Sequence, residues 1–250
     1  MKLIISPAKK MNIRTDDLPA RELPQFLNKT RILCQAIKAL SFSEAKALWN
    51  CNDKLAKLNF ERFRHMDLES ALTPALLSYE GLQYQHMAPA VFTQNALAYV
   101  QEHLRILSGF YGVLRPLDRV TPYRLEMQAA LTVKGFRDLY AFWGDSCYQA
   151  LLDEDQTILN LASKEYSRAV EPYVQPEDQF LTVIFGERIR GKICQKGTLA
   201  KMARGEMVRY MAERQILKLS ELKDFQELGF AFSKEDSTKH EWVFLRTSPE

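Results

Sequence analysis

The sequence predicts a mixed α/β (α+β) fold in a single compact domain over residues 1–250, with short strands and many helices. Three observations carry this. Apolar runs of strand length intermix with stretches of helical period along the whole chain. Hydrophobic residues make up 46% of the 250 positions and charged residues 26%, which fills a core and excludes disorder over most of the length. No internal repeat, low-complexity tract or long linker divides the chain. Many connections are not simple βαβ units, so the pattern does not by itself specify a doubly wound sheet.

Lys2–Ser6 reads as a short buried strand, because Leu3, Ile4 and Ile5 run straight into Ser6-Pro7 and proline ends it. A loop follows to Pro24, through Thr15-Asp16-Asp17. Leu27, Ile32, Leu33, Ile37 and Leu40 place a helix over Phe26–Leu40. Ser41 caps a second helix that reaches Trp49, and Asn50–Asp53 is turn chemistry. A third helix follows, with Leu55, Leu58 and Phe63 on its apolar face. Helical pieces occupy 65–104, the last over Gln94–Leu104, and a strand runs from Leu104 to Gly109. Tyr111–Asp118 is a loop punctuated by glycine and proline. Tyr140–Leu152 reads as a helix and Thr157–Leu161 as a strand. Phe180–Phe185 is a strand that turns at Gly186 into Glu187–Ile193. Thr198–Leu217 is a helix burying Ala200, Ala203, Val208, Met211 and Ile216. Gly229–Ser233 and Glu241–Arg246 close the chain as a hairpin-like pair.

No stretch approaches the roughly 18 uninterrupted apolar residues of a membrane span. Three apolar residues before a polar run are too few for a signal-peptide core, so a cytoplasmic location is expected. Cys34, Cys51, Cys147 and Cys194 lie far apart, and His65, His86, His103 and His240 lack a zinc-helix spacing. No metal site is expected, and iron sequestration by the chain itself is unattractive for the same reason. The glycine patterns of dinucleotide and P-loop sites are absent, so no cofactor is expected.

Net charge is only +3, yet it is uneven. Residues 1–64 hold 13 Lys and Arg against 6 Asp and Glu, residues 65–184 hold 8 against 15, and residues 185–250 hold 13 against 10. Such a division suits a basic surface patch, and equally suits helix surfaces that merely differ in charge.

Five segments have the composition of a site. Ser6-Pro7-Ala8-Lys9-Lys10 delivers a serine and two lysines to a strand end, for phosphate contact or for a lysine nucleophile; an exposed basic loop is the alternative. Ser43–Arg62 is a helix pair that presents Lys54 beside a helix N-terminus, in the manner of a helix-hairpin-helix, although the usual glycine-centred hairpin is missing. Ser108–Asp118 with Pro122–Met127 combines Arg115 and Arg124 with Tyr111, Tyr123 and Glu126. Asn160–Tyr166 places Ser163 to cap a following helix. Lys192–Arg214 is rich in Lys and Arg, with Lys201, Arg204 and Arg209 along one helix edge.

Lys2–Met11 resembles the opening of the bacterial YaaA proteins, the peroxide stress resistance family. The resemblance continues, in family order, through Asp53–Asn59, Ser108–Asp118, Pro122–Met127, Leu139–Trp143, Asn160–Tyr166 and Lys201–Met207. Gln128 stands where the family pattern has glycine, and Gln83–Gln101 is less family-like. The resemblance implies a cytoplasmic bacterial protein with its own α/β architecture. It also implies DNA binding through a basic cleft with a helix-hairpin-helix-like element, and restraint of iron-driven DNA damage during peroxide stress.

On that reading the cleft cations are Lys9, Lys10, Lys54, Arg62, Arg115, Arg124, Lys201 and Arg204. Tyr84, Tyr111 or Tyr123 would stack on an unpaired base. Duplex or branched DNA is the expected partner, and a monomer is the expected state. The rival reading is a DNA-processing enzyme of the glycosylase or lyase kind. Lys9 or Lys10 would be its nucleophile and Glu126 or Glu165 its acid/base group.

Overall fold

β1 (Lys2–Ile5) is the hinge of the architecture, since it pairs in parallel with a later strand on each side. The computed structural model describes residues 1–14, 18–70 and 73–246; the Thr15–Asp17 part of the expected loop lies outside them. After β1 come β2 (Lys10–Met11), α1 (Leu27–Lys38), α2 (Phe42–Trp49) and α3 (Asp53–Arg64). Short elements follow: β3 (Thr73–Pro74), α4 (Ala75–Ser78), β4 (Tyr79–Glu80) and α5 (Leu82–Met87). α6 (Gln94–His103) leads directly into β5 (Leu104–Ser108), then β6 (Gly112–Leu114) and β7 (Arg119–Val120). The second half runs α7 (Leu139–Trp143), α8 (Ser146–Gln149), β8 (Thr157–Asn160), α9 (Lys164–Ser167) and β9 (Gln179–Ile189). It closes with β10 (Lys192–Cys194), α10 (Gly197–Arg214), β11 (Phe230–Ser233) and β12 (Glu241–Arg246).

The main sheet has the order β11-β12-β9-β8-β1-β5-β6, with β10 paired to β9. β12, β9, β8, β1 and β5 are mutually parallel, whereas β11 and β6 add to the edges antiparallel. Parallel strands covered on both faces need apolar residues at successive positions. Leu3, Ile4 and Ile5 meet that need and are fully buried, and all four residues of β8 are buried. The mixed α/β class is therefore as the composition implies, and its centre is more regularly parallel than the connections suggest.

The local cap signals hold at the starts of α2 and α3. Ser41 accepts from the Glu44 amide while the Glu44 carboxylate takes the Ser41 amide, a complete capping box. Asn52 caps α3 by accepting from Leu55 N at 3.0 Å. The C-terminal pair is a true antiparallel ladder, Phe230↔Arg246 to Ser233↔Val243.

Several expectations change, and the stretch expected as a loop over Tyr111–Asp118 holds β6. The buried stripe of α3 is Ala56, Asn59 and Phe63, while Leu55 and Leu58 are exposed. Phe63 stacks on Trp49 at 5.7 Å, and that anchor rotates the helix by one residue. The helix expected over Tyr140–Leu152 is two short helices, α7 and α8, because Gly144 at φ +54° breaks the period between them. β9 passes straight through Gly186 and turns only at Arg190-Gly191. Finally, Tyr84, Tyr111 and Tyr123 are 4%, 1% and 4% exposed. They knit the core, Tyr79 OH meeting Tyr123 OH at 2.8 Å and Tyr123 OH meeting Ser108 Oγ at 2.6 Å, so they offer no stacking face to a base.

α10 is held against α5 by an unusually close crossing. A Cβ on Gly205 would stand 2.1 Å from the Gln83 carbonyl oxygen, so only glycine fits. Across the same contact His86 Nδ1 lies 2.8 Å from Glu206 Oε1. Alanine for glycine in a helix interior ordinarily gains up to ~1 kcal/mol. Here backbone must shift, and Gly205→Ala is expected to lose about 1–3 kcal/mol in a urea denaturation curve. A gain would contradict the crossing.

Candidate anion-binding cleft at the strand switch point

From β1 the chain passes to β5 on one side; it then crosses back and fills the other side with β8 and β9. A crevice must open outside the carboxyl ends of β1 and β8, where the connections diverge. Ser6 leaves β1 there and Ser163 leaves β8 there. Ser163 N donates to Ser6 Oγ at 2.8 Å, and the two hydroxyls lie 3.1 Å apart. Ser163 does occupy the N-cap position of α9, but its side chain makes this inter-strand bond and no cap bond. Tyr84 OH donates to Ser6 O at 3.0 Å and pins the exit of β1 from α5.

The crevice is a cleft of about 570 Å³. Its walls come from three sources: Ser6–Lys10 after β1, Glu80–Tyr84 around α5, and Ser163, Glu165 and Tyr166 after β8. Lys201 and Arg204 close it from α10. Of the eight cations expected in a cleft, the fold therefore gathers Lys9, Lys10, Lys201 and Arg204 here, from opposite ends of the chain.

Their electrostatics differ. Lys9 and Lys10 are exposed and each meets a carboxylate, Lys9 Nζ at 3.1 Å from Glu126 Oε1 and Lys10 Nζ at 2.6 Å from Glu80 Oε1. The latter pair sits directly opposite in the β2–β4 ribbon. Lys10 and Asn12 hold the Glu80 carboxyl below its usual range. Lys201 is exposed. Arg204 has no carboxylate partner among the described residues, its Nε is buried and unbonded, and burial pulls the guanidinium down to about 10. Glu165 is pushed up, chiefly by burial and further by Glu126, although the Gln128 amide donates to it.

The remaining cations lie elsewhere. Arg124 lines a narrow crevice beside the cleft, with Pro7, Ala8, Lys9 and Tyr166 common to both. Its Nη2 stands 3.0 Å from Glu126 Oε1, the same oxygen that Lys9 approaches. Arg62 is turned inward from α3, donating to Met11 O at 3.2 Å, and burial lowers its pKa. Lys54 is exposed in the first turn of α3, just past the Asn50–Asn52 connection from α2. Arg115 is at the opposite end of the sheet, beside Arg105 in a separate pocket, because β6 runs antiparallel to β5. Its Nε lies 3.0 Å from Asp118 Oδ1, and Glu22 takes Nη2. On the far edge of α10, Arg209 pairs with Glu213 at 2.8 Å. The lining residues Glu80 and Gln83 carry no site signal in the sequence; the β2–β4 pairing opposite Lys10 places Glu80, and the Gly205 crossing places Gln83.

No group of three or more His, Cys, Asp or Glu among the described residues is placed to hold a metal ion. No described helix is long and apolar enough to cross a membrane.

Fold and cleft together define a mixed α/β protein with a lysine- and arginine-lined crevice at the switch point of a largely parallel sheet. The chain belongs to the peroxide stress protein YaaA family, whose model matches residues 1–236. A UPF0246 protein of Lachnoclostridium phytofermentans is 53% identical over 246 residues, covering 98% of this chain and 96% of that protein. UPF0246 proteins of Agathobacter rectalis and Pediococcus pentosaceus are 51% and 50% identical, covering 98% of this chain and 99% and 98% of theirs. The relatedness expected from Lys2–Met11 and the other quoted segments thus extends along almost the whole molecule.

Two outcomes test this geometry. The Arg124 side chain is only 10% exposed, so Arg124→Ala should cost about 2 kcal/mol or more by leaving Glu126 less compensated. Lys9→Ala at an exposed pair should cost less than about 1 kcal/mol, and equal losses in urea would contradict the asymmetry. Burial also pushes the Asp118 carboxyl up to about 6 despite its bonds to Arg115. The folded state then holds that proton more tightly than the unfolded chain, whose value is near 4. Its stabilising contribution is complete below about pH 4 and is lost as pH rises through about 6, by roughly 3 kcal/mol. Unfolding midpoints measured across that window should show this slope in the native chain and lack it in Asp118→Asn.

Proposed function

We infer that the protein binds DNA in the cytoplasm through the switch-point cleft and so helps limit iron-driven oxidative damage during peroxide stress. The observation that carries this reading is the convergence of Lys9, Lys10, Lys201 and Arg204 on one cleft, with Arg204 unneutralised among the described residues. Phosphates supply the missing counter-charge, and cations placed on them fix position without reading base identity. The family's printed description, peroxide stress protein, supplies the physiological setting. Lys54 at the α2–α3 hairpin is a further phosphate contact in this reading, as the helix-hairpin-helix-like element.

About four phosphate contacts should weaken duplex or branched-DNA binding by roughly 100-fold between 50 and 200 mM salt. Fluorescence anisotropy across a salt series measures it. The paired change Lys10→Ala with Arg204→Ala should remove about half of the slope. A flat salt response, or unchanged affinity in the double variant, would overturn the reading.

One observation favours a second reading. Lys9 Nζ lies 3.1 Å from Glu126 Oε1, an amine beside a buried carboxylate. In that reading a cleft lysine condenses with the aldehyde of an abasic sugar, releasing water and forming a Schiff base, with Glu126 or Glu165 as acid/base group. Borohydride trapping on abasic DNA should then give a covalent adduct that Lys9→Ala abolishes; an absence of adduct removes this reading.

A further inference from the structure

Among the described residues, nothing satisfies two of the donors in the cleft. Gln83 is 6% exposed, lines the cleft, and its Nε2 has no hydrogen-bond partner. Arg204 Nε is buried and unbonded on the facing helix. Buried donors without acceptors cost free energy that a bound acceptor removes. Neither residue can withdraw easily, because the Gly205 crossing sets α10 directly on the Gln83 backbone. The unmet donors are therefore built into the helix packing.

We propose that the cleft binds the phosphate monoester of a single nucleotide, with Arg204, Lys201 and Gln83 on the phosphate and Glu165 facing the sugar and base. Size supports one nucleotide: about 570 Å³ lies within the roughly 300–1,000 Å³ of pockets that enclose one small molecule. Position supports it too, since open parallel sheets bind ligands at the switch point, outside the carboxyl ends of the strands. The carboxylates separate a nucleotide from a bare anion. Glu165 and Glu80 weaken the hold on inorganic phosphate without preventing its contact with Arg204, whereas a nucleotide offers hydroxyl and amino donors that a carboxylate accepts. Tyr84 and Tyr166 stand behind the wall as buried packing and give the base no stacking face.

The proposal rests on the cleft being the nucleic-acid site and sharpens what enters it. Two sources share the chemistry, a free mononucleotide and the phosphorylated end of a DNA strand. Calorimetric titration of the full chain with dAMP, deoxyadenosine and inorganic phosphate provides the test, alongside 5′-phosphorylated and 5′-hydroxyl oligonucleotides. dAMP should bind at least tenfold more tightly than deoxyadenosine or inorganic phosphate. Arg204→Gln should lose at least tenfold and Lys201→Ala at least threefold; Lys201 is exposed, so that variant stays informative if Arg204→Gln fails to fold. A tenfold preference for the 5′-phosphorylated oligonucleotide assigns the strand end as source, and equal affinity of the two assigns the free nucleotide. If dAMP binds no better than phosphate or deoxyadenosine, or Lys201→Ala leaves dAMP binding unchanged, the proposal is overturned. In that event an end-blocked duplex that still binds keeps the DNA reading intact; dAMP binding without duplex binding has the reverse meaning.

Discussion

The parallel pairing of β1 with β5 on one side and β8 on the other governs where chemistry can occur in this fold. The register Ile4↔Asn160 brings the carboxyl ends of β1 and β8 within one residue of each other, while Ile4↔Arg105 lets β5 run on beyond them to Ser108. The connections then leave in opposite directions, and backbone alone opens a crevice beside Ser6 and Ser163. The interstrand bond between those serines holds its rim. A single apolar run, Leu3-Ile4-Ile5, supplies the burial that keeps β1 central, worth about 1.5–3 kcal/mol per fully buried side chain. Everything that lines the cleft depends on that strand staying in place.

The second constraint is the close approach of α10 to α5. Without a side chain at Gly205, two helix backbones come near enough for Arg204 and Gln83 to be desolvated together. A guanidinium in that setting loses hydration with no carboxylate among the described residues to replace it. Lys9 and Lys10 are arranged differently, each paired at the surface with an acid. Among the described residues, the cleft therefore has a half-buried unneutralised cation beside a rim on which Lys9 and Lys10 are compensated. Such a graded field admits an anion to the interior without making the whole surface basic, in keeping with a net charge of only +3.

The sequence makes strand and helix identities legible where local signals are strong. Ser41 with Glu44, Asn52 before α3, and the Leu3–Ile5 run all act as their chemistry implies. The candidate segments at Ser6–Lys10, Asn160–Tyr166 and Lys201–Arg204 do meet in space, although nothing local says they should. What was not legible depends on tertiary packing. Stacking of Phe63 on Trp49 rotates α3 and leaves Leu55 and Leu58 outside. The hydrogen-bonded tyrosines turn apparent stacking faces into core. Antiparallel β6 carries Arg115 to the far end of the sheet, although its composition matches the cleft cations. Gln83 has no signal at all outside the Gly205 crossing.

The central claim is that the switch-point cleft holds an unneutralised cation, Arg204, ready for a phosphate. The arginine side-chain Nε–H region of a ¹⁵N-labelled NMR spectrum, recorded while inorganic phosphate is added, tests it most directly. Inorganic phosphate is a weak probe, but its first contact should be the site of greatest unmet positive charge. The account predicts that the Arg204 resonance, assigned by its loss in Arg204→Gln, shifts first and saturates. Exposed arginines such as Arg209, already paired with Glu213, should shift little. An Arg204 resonance that stays fixed while the surface arginines move would contradict the account.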